Sequence, residues 1–142
     1  MKLQVNKDLL KKENKGILYL LELHLEDKVL VKIGITLRSK VEDRVLEILL
    51  AIHKKYRYYP HCKQLRFRTV DDPLGKESRL HEYFRSCNYT TEHSFGGSTE
   101  LFEVDSSVVK DAYDKLLAGE LDGRYEDNLG CADGADAEEG SD

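Results

Sequence analysis

Apolar and polar residues alternate in patterns that predict a hairpin followed by a helix in the first part of the chain. Two aliphatic runs, at residues 17–25 and 29–35, are separated by the charged stretch EDK, which is typical of an antiparallel hairpin. Apolar residues then recur at helical spacing, which predicts a helix over about residues 40–55. The apolar positions of this helix are Val41, Val45, Ile48 and Ile52.

The remainder of the chain predicts two more strands and two more helices. A strand is expected over residues 64–70, and Asp72 followed by Pro73 suits the start of a helix over about residues 73–86. A Gly-Gly loop precedes a short strand in TELFEV, and the last helix lies in DSSVVKDAYDKLLAG. The order β-β-α-β-α-β-α predicts a small α+β domain over residues 1–119, with a central antiparallel sheet flanked by helices.

The hairpin contains two residues that are unusual in an apolar strand. A two-residue turn at residues 26–27 would place Tyr19 opposite Gly34 and Lys32 opposite Leu21. Tyr19 and Lys32 would then share one face of the sheet. They are either a core aromatic residue and a lysine that extends its ammonium to the surface, or a functional pair.

Charge divides the chain into a basic body and an acidic tail. Residues 120–142 contain nine acidic residues and one basic residue, a local charge of −8, which leaves +3 on residues 1–119. The tail is poor in aliphatic residues, so we expect it to be disordered. It serves either solubility or, as a mimic of nucleic acid, competition for the basic body.

Composition also limits the cellular setting. No apolar run approaches the roughly 20 residues of a membrane span, and the N-terminus lacks the pattern of a secretory signal, so a cytoplasmic protein without membrane contact is expected. The three cysteines, an odd number without a CxxC pair, are expected to be thiols rather than disulfides. A metal site built from them and nearby histidines matches no zinc spacing.

A basic and aromatic segment predicts a nucleic-acid partner. Residues 53–68, HKKYRYYPHCKQLRFR, contain six basic residues and no acidic one. Cations neutralise phosphates and aromatic rings stack on exposed bases, which favours DNA over a merely solvated loop. The candidate DNA-binding residues are Lys54, Lys55, Arg57, Lys63, Arg66 and Arg68.

Short motifs in a fixed order resemble the GIY-YIG endonuclease superfamily. GILY is followed by VKIGIT, then by Arg44 in the next helix, and later by KESRLH and GSTELF. The chain looks most like the phage-borne branch in which KIG replaces YIG and a helix of the form E-x-x-x-H precedes an E-x-F strand. The resemblance covers about residues 15–117 and implies a GIY-YIG-like fold.

The resemblance also implies roles for individual residues. Tyr19 matches the tyrosine that helps to activate the attacking water, and Lys32 stands where many members have a second tyrosine. Arg44 matches the arginine that contacts the scissile phosphate, with Arg38 as the alternative position. Glu77 matches the glutamate that holds a single divalent metal, usually magnesium.

These residue types suit phosphodiester hydrolysis, which needs an in-line water, a proton acceptor and cations at the phosphate oxygens. Lys32 would favour the phenolate of Tyr19, whose pKa is otherwise about 10, and His81 could assist proton transfer or orient Glu77. Alternatively, Arg44 and Glu77 are ordinary exposed charges and His81 is an interface histidine.

The sequence therefore predicts a metal-dependent DNA endonuclease, encoded by a phage and acting in a bacterial cytoplasm. A catalytically inactive nucleic-acid-binding module of the same fold is the main alternative. A protein-binding role for the acidic tail is a third.

Overall fold

The computed structural model of the chain describes residues 15–37 and 40–127 and confirms an α+β fold. Four strands form one antiparallel sheet, and the strand that comes third in the sequence lies at one edge, beside the first. The elements are β1 (Lys15–Leu25), β2 (Lys28–Thr36), α1 (Val41–Tyr56), β3 (Cys62–Asp71), α2 (Pro73–Tyr83), β4 (Leu101–Phe102) and α3 (Ser106–Leu117). The sheet order is β3-β1-β2-β4.

The hairpin of β1 and β2 has the register that its sequence predicts. Tyr19 pairs with Gly34, and Leu21 pairs with Lys32. The turn residues at 26 and 27 both have positive φ angles, 56° and 62°, as in the tight turns that match the twist of a hairpin. Tyr19 and Lys32 therefore lie on the same face of the sheet.

Both faces of the sheet are buried, and each has its own core. This explains why β1 is a nearly continuous apolar run rather than an alternating one. We call the two sides the α1 face and the α2/α3 face after the helices that cover them. Buried residues of the α1 face include Tyr19, Leu21, Leu23, Leu30, Ile48 and Ile52. Those of the α2/α3 face include Leu18, Leu20, Ile33, Leu80, Phe84 and Tyr113.

The helix α2 begins as predicted and ends early. The Asp72 side chain accepts a hydrogen bond from the backbone N–H of Gly75 (3.3 Å), and Pro73 occupies the first turn. The helix stops at Tyr83 rather than at about residue 86, because the chain tightens into a 3-10 turn at Arg85–Cys87.

The strand β3 is longer than predicted and contains a bulge. Leu20 pairs with Arg66, whereas the next residue, Leu21, pairs with Gln64, which leaves Leu65 without a partner in the ladder. A bulge inserts one residue, so it changes which β3 side chains share a face.

The strand predicted in TELFEV is reduced to two residues. A 3-10 turn at Ser98–Glu100 precedes it, and Gly97 before that turn has a φ angle of 87°. The turn places Glu100 immediately before β4, at the edge of β2.

The packed part of the chain continues beyond the predicted boundary at residue 119. Leu121 and Tyr125 pack against the core of the α2/α3 face, and the Arg79 side chain donates a hydrogen bond to the carbonyl of Gly123 (2.7 Å). The prediction of a disordered tail is therefore wrong for these residues. The rest of that tail, residues 128–142, lies outside the described residues.

In the two described ranges, no helix has the length and apolar character of a membrane span. Cys62 and Cys87 are free thiols, as expected, and Cys131 lies outside the described residues.

Candidate functional site

Tyr19 is buried beside a glycine that leaves room for its phenol. Its side chain is 0% exposed. A Cβ atom placed on Gly34, its partner across the hairpin, would lie 2.5 Å from the Tyr19 hydroxyl oxygen. Real Cβ atoms do not approach other atoms this closely, so this strand position requires glycine for the ring to stay in place.

The Tyr19 hydroxyl lies in an electrostatic environment set by Arg44. Burial raises the pKa of Tyr19, and the Arg44 guanidinium acts in the opposite direction. Arg44 stands one turn into α1 and also donates a hydrogen bond to Glu47 (3.1 Å). Among the described residues, the buried hydroxyl oxygen has no hydrogen-bond partner of good geometry. A buried hydroxyl that lacks a well-aligned partner is uncommon, which makes Tyr19 a candidate for a functional role.

Lys32 is fully buried and forms an ion pair with Glu100. Its Nζ also lies 5.9 Å from the centre of the Tyr19 ring. Burial lowers the pKa of Lys32, and the Glu100 carboxylate opposes that change. A Cβ atom on Gly97 would lie 3.0 Å from Nζ of Lys32 and 3.8 Å from Nη2 of Arg44, so the Gly97 backbone packs against both cations.

The contacts give Arg44 part of the role expected of Lys32. Arg44 is a cation that lowers the pKa of Tyr19, and Lys32 forms its ion pair with Glu100. That Lys32 favours the Tyr19 phenolate stays a prediction.

Glu77 lies in α2 beside a second carboxylate. Its side chain is 13% exposed, and burial followed by the nearby charge of Glu100 raises its pKa to about 7, while Lys32 has the opposite effect. Two carboxylates held together are costly when both are ionised, and a cation between them would remove that cost.

His81 lies one turn after Glu77 and is held by the backbone of β2. Its Nε2 donates to the carbonyl of Ile33 (2.9 Å) and lies 4.0 Å from the Glu77 carboxylate. Its ring centre is 5.2 Å from that of Phe102. These contacts fit the interface histidine that the sequence left open, and a part in proton transfer stays a prediction.

The six predicted DNA-binding residues do not form one surface. Lys54, Lys55 and Arg57 are exposed at the end of α1. The other three, in β3, pair with β1 residues of the α2/α3 face, because the bulge puts all three on the side away from Tyr19. These three are Lys63, Arg66 and Arg68.

Arg66 is also engaged within the protein. Its guanidinium donates two hydrogen bonds to the Asp114 carboxylate, at 3.0 and 3.1 Å. Lys63 and Arg68 are exposed. Contact with DNA through Arg66 would first have to break this bidentate pair.

Glu100 is a site residue for which no role was expected from the sequence. It belongs to the E-x-F strand motif and follows a pair of glycines that allows a sharp turn, so the motif was visible. Arg38, the alternative to Arg44, lies outside the described residues.

The site fits a divalent cation only in part. Among the described residues, no group of three or more His, Cys, Asp or Glu side chains could hold a metal. Glu77 and Glu100 together offer hard oxygen donors, which Mg²⁺ prefers when water and substrate phosphate supply the rest.

Comparison with known proteins gives one match. A search of curated proteins and a search of solved structures each found no match. The model of the T5orf172 domain matches residues 16–117, from the first strand to the last helix. That range contains every element of the site, and it is most of the chain. The protein therefore belongs to the T5orf172 domain family, a phage-associated family related to nuclease-type domains.

Proposed function

We propose that the protein is a metal-dependent DNA endonuclease that hydrolyses phosphodiester bonds, of the GIY-YIG type, encoded by a phage and acting in the cytoplasm of a bacterial host. The observation that supports this most is the convergence of a buried tyrosine, two cations and two carboxylates from separate elements. Tyr19 and Lys32 come from the hairpin, Arg44 from α1, Glu77 from α2 and Glu100 from the turn before β4.

In this proposal, Tyr19 takes a proton from the attacking water or holds that water in line. The Arg44 guanidinium would bind a phosphate oxygen and at the same time favour ionisation of the phenol. Burial raises the pKa of the Tyr19 phenol, so little phenolate is present to accept a proton, and its action as a base depends on that cation. The residue pair Tyr19–Arg44 thus couples substrate binding to activation of water.

Glu77, with Glu100 beside it, would hold a divalent cation such as Mg²⁺. When bound, such an ion acts as a Lewis acid that stabilises charge on the phosphate and the leaving oxygen. Lys32 pairs with Glu100 and holds its carboxylate in place. His81 fixes the spacing of α2 and β2 through its bond to Ile33, and so positions Glu77.

One observation favours the alternative, a nucleic-acid-binding module of the same fold without catalysis. Tyr19 is 0% exposed, so an attacking water can reach its hydroxyl only if the surrounding residues move. Without that movement, binding would occur without cleavage.

A plasmid-nicking assay tests the proposal. Supercoiled DNA is incubated with the full chain and Mg²⁺, with EDTA in a parallel reaction. We expect relaxed circles with Mg²⁺ only. Binding without nicking in Mg²⁺ or Mn²⁺ would support the alternative, and nicking that persists in EDTA would contradict a metal-dependent mechanism.

A further inference from the structure

An exposed phenylalanine stands next to the candidate catalytic tyrosine. Phe67 in β3 pairs directly with Tyr19 in β1, so both side chains lie on the α1 face. Tyr19 is 0% exposed, whereas Phe67 is 53% exposed. Its ring therefore forms part of the surface beside the site.

The helix α1 leaves this edge of its face uncovered. Gln64, Phe67 and Thr69 all pair with β1 residues of the α1 face, and all three are exposed. Because β3 is the edge strand, nothing in the described residues follows it in the sheet. The Phe67 ring thus lies on a surface at the edge of the sheet that no helix covers.

Three basic side chains lie near this edge of the sheet. A cavity of about 450 Å³ lies beside the end of β3, and its lining includes Lys15, Arg68 and Lys76. The one carboxylate in the lining belongs to Asp71, whose backbone carbonyl accepts a hydrogen bond from the Lys76 ammonium (2.5 Å). Three cations against one carboxylate favour an anionic ligand.

We propose that Phe67 is a stacking platform for an unpaired base next to the scissile phosphate, and that the neighbouring backbone phosphate binds at the Lys15–Arg68–Lys76 cavity. The inference rests on the proposed function and names its substrate class, which is DNA with at least one unpaired nucleotide. A strand that crosses the β3 edge can place a base on one side and a phosphate on the other.

The chemistry of the surface separates this ligand from others. A base inside a fully paired duplex has both faces covered by its neighbours, so away from the duplex ends only an unpaired or displaced base can stack on a protein ring. An apolar peptide could add to the β3 edge, but it would not use three cations. Aromatic and basic groups together are typical of surfaces that bind single strands.

The test measures binding in EDTA, which prevents metal-dependent cleavage. Fluorescence anisotropy compares a short fully paired duplex with the same duplex containing one unpaired adenine. The variants are Phe67→Leu, which keeps an apolar side chain, and Phe67→Tyr, which keeps the ring. Val29→Ala is the matched control, because Val29 is a strand residue of similar exposure (48%) in β2, on the other side of β1 from Phe67.

We expect the wild type to bind the duplex with the unpaired base about tenfold more tightly than the paired one. Phe67→Leu should lose this preference, while Phe67→Tyr and Val29→Ala keep it. Equal affinity of the wild type for both duplexes overturns the inference but not the proposed function. So does a preference that survives Phe67→Leu. Failure to bind either DNA in EDTA overturns the inference, and the plasmid-nicking assay in Mg²⁺ then decides the proposed function separately.

Discussion

The Tyr19 phenol fills the space that a side chain on Gly34 would occupy, since a Cβ atom there would lie 2.5 Å from the hydroxyl oxygen. Gly34→Ala should therefore displace the ring from Arg44. We expect a loss of about 1–3 kcal/mol in the free energy of unfolding, and loss of nicking. Urea denaturation and the plasmid assay measure the two effects.

Gly96→Ala is the matched control, because a Cβ atom there meets nothing within 4 Å. If Gly34→Ala were as stable and as active as Gly96→Ala, the close approach of the Tyr19 ring to Gly34 would matter neither for stability nor for cleavage.

Removing the Tyr19 hydroxyl should separate catalysis from stability. Tyr19→Phe keeps the packed ring, and the lost oxygen has no hydrogen-bond partner of good geometry among the described residues. The melting temperature should stay within a few degrees while the rate of nicking falls by about two to four powers of ten.

Tyr113→Phe is expected to behave in the opposite way. Its hydroxyl donates to the Leu18 carbonyl (2.6 Å), so its loss should lower stability by about 1 kcal/mol and leave nicking unchanged. Should Tyr19→Phe cleave like the wild type, the tyrosine is a core residue and the proton acceptor must be another group.

The ionisation of Glu77 should respond to both of its charged neighbours. Lys32→Met removes the cation that lowers the Glu77 pKa, so that pKa should rise above about 7, whereas Glu100→Gln should bring it down. NMR titration of the Glu77 carboxyl carbon gives the midpoint directly. Lys28→Met, which breaks only the exposed pair with Glu103, is the control. A midpoint that stays the same in all three variants would mean that these groups do not form one site.

Stability without metal should depend on pH through the same carboxyl. The folded state keeps the Glu77 proton up to about pH 7, whereas the unfolded chain releases it at about 4.5. Stability from this group is therefore fully present at low pH and is lost as pH rises through 7. Glu77→Gln does not titrate, so in EDTA it should exceed the wild type by about 1–3 kcal/mol at pH 8 and match it near pH 4. Equal denaturation curves for Glu77→Gln and the wild type at pH 8 would show that the pKa of Glu77 is not raised in the folded state.

Local rules predicted the hairpin well because its register follows from two constraints that are visible in the sequence. A two-residue turn fixes which residues face each other, and the aliphatic runs fix the strand lengths. The pairing of Tyr19 with Gly34 needed nothing more. The start of α2 at Asp72 and Pro73 was equally local.

The rest of the site depends on tertiary structure. The ion pair of Lys32 with Glu100 spans 68 positions and requires the turn before β4 to return to the sheet. The bulge at Leu65 puts Lys63 on the same face of the sheet as Arg66 and Arg68. The periodicity of the sequence does not predict where a bulge occurs. Leu121 and Tyr125 pack although the surrounding composition is that of a solvated tail.

Cleavage and DNA affinity of Glu77→Gln, measured on the same preparation, test the central claim most directly. Glu82→Gln is the matched control, since Glu82 lies in the same helix with a half-exposed carboxylate that pairs with Arg124. We predict that Glu77→Gln abolishes Mg²⁺-dependent nicking while its affinity for DNA stays within a few-fold of the wild type, and that Glu82→Gln preserves both. Nicking by Glu77→Gln at the rate of the wild type would contradict a metal-dependent site built on this carboxylate.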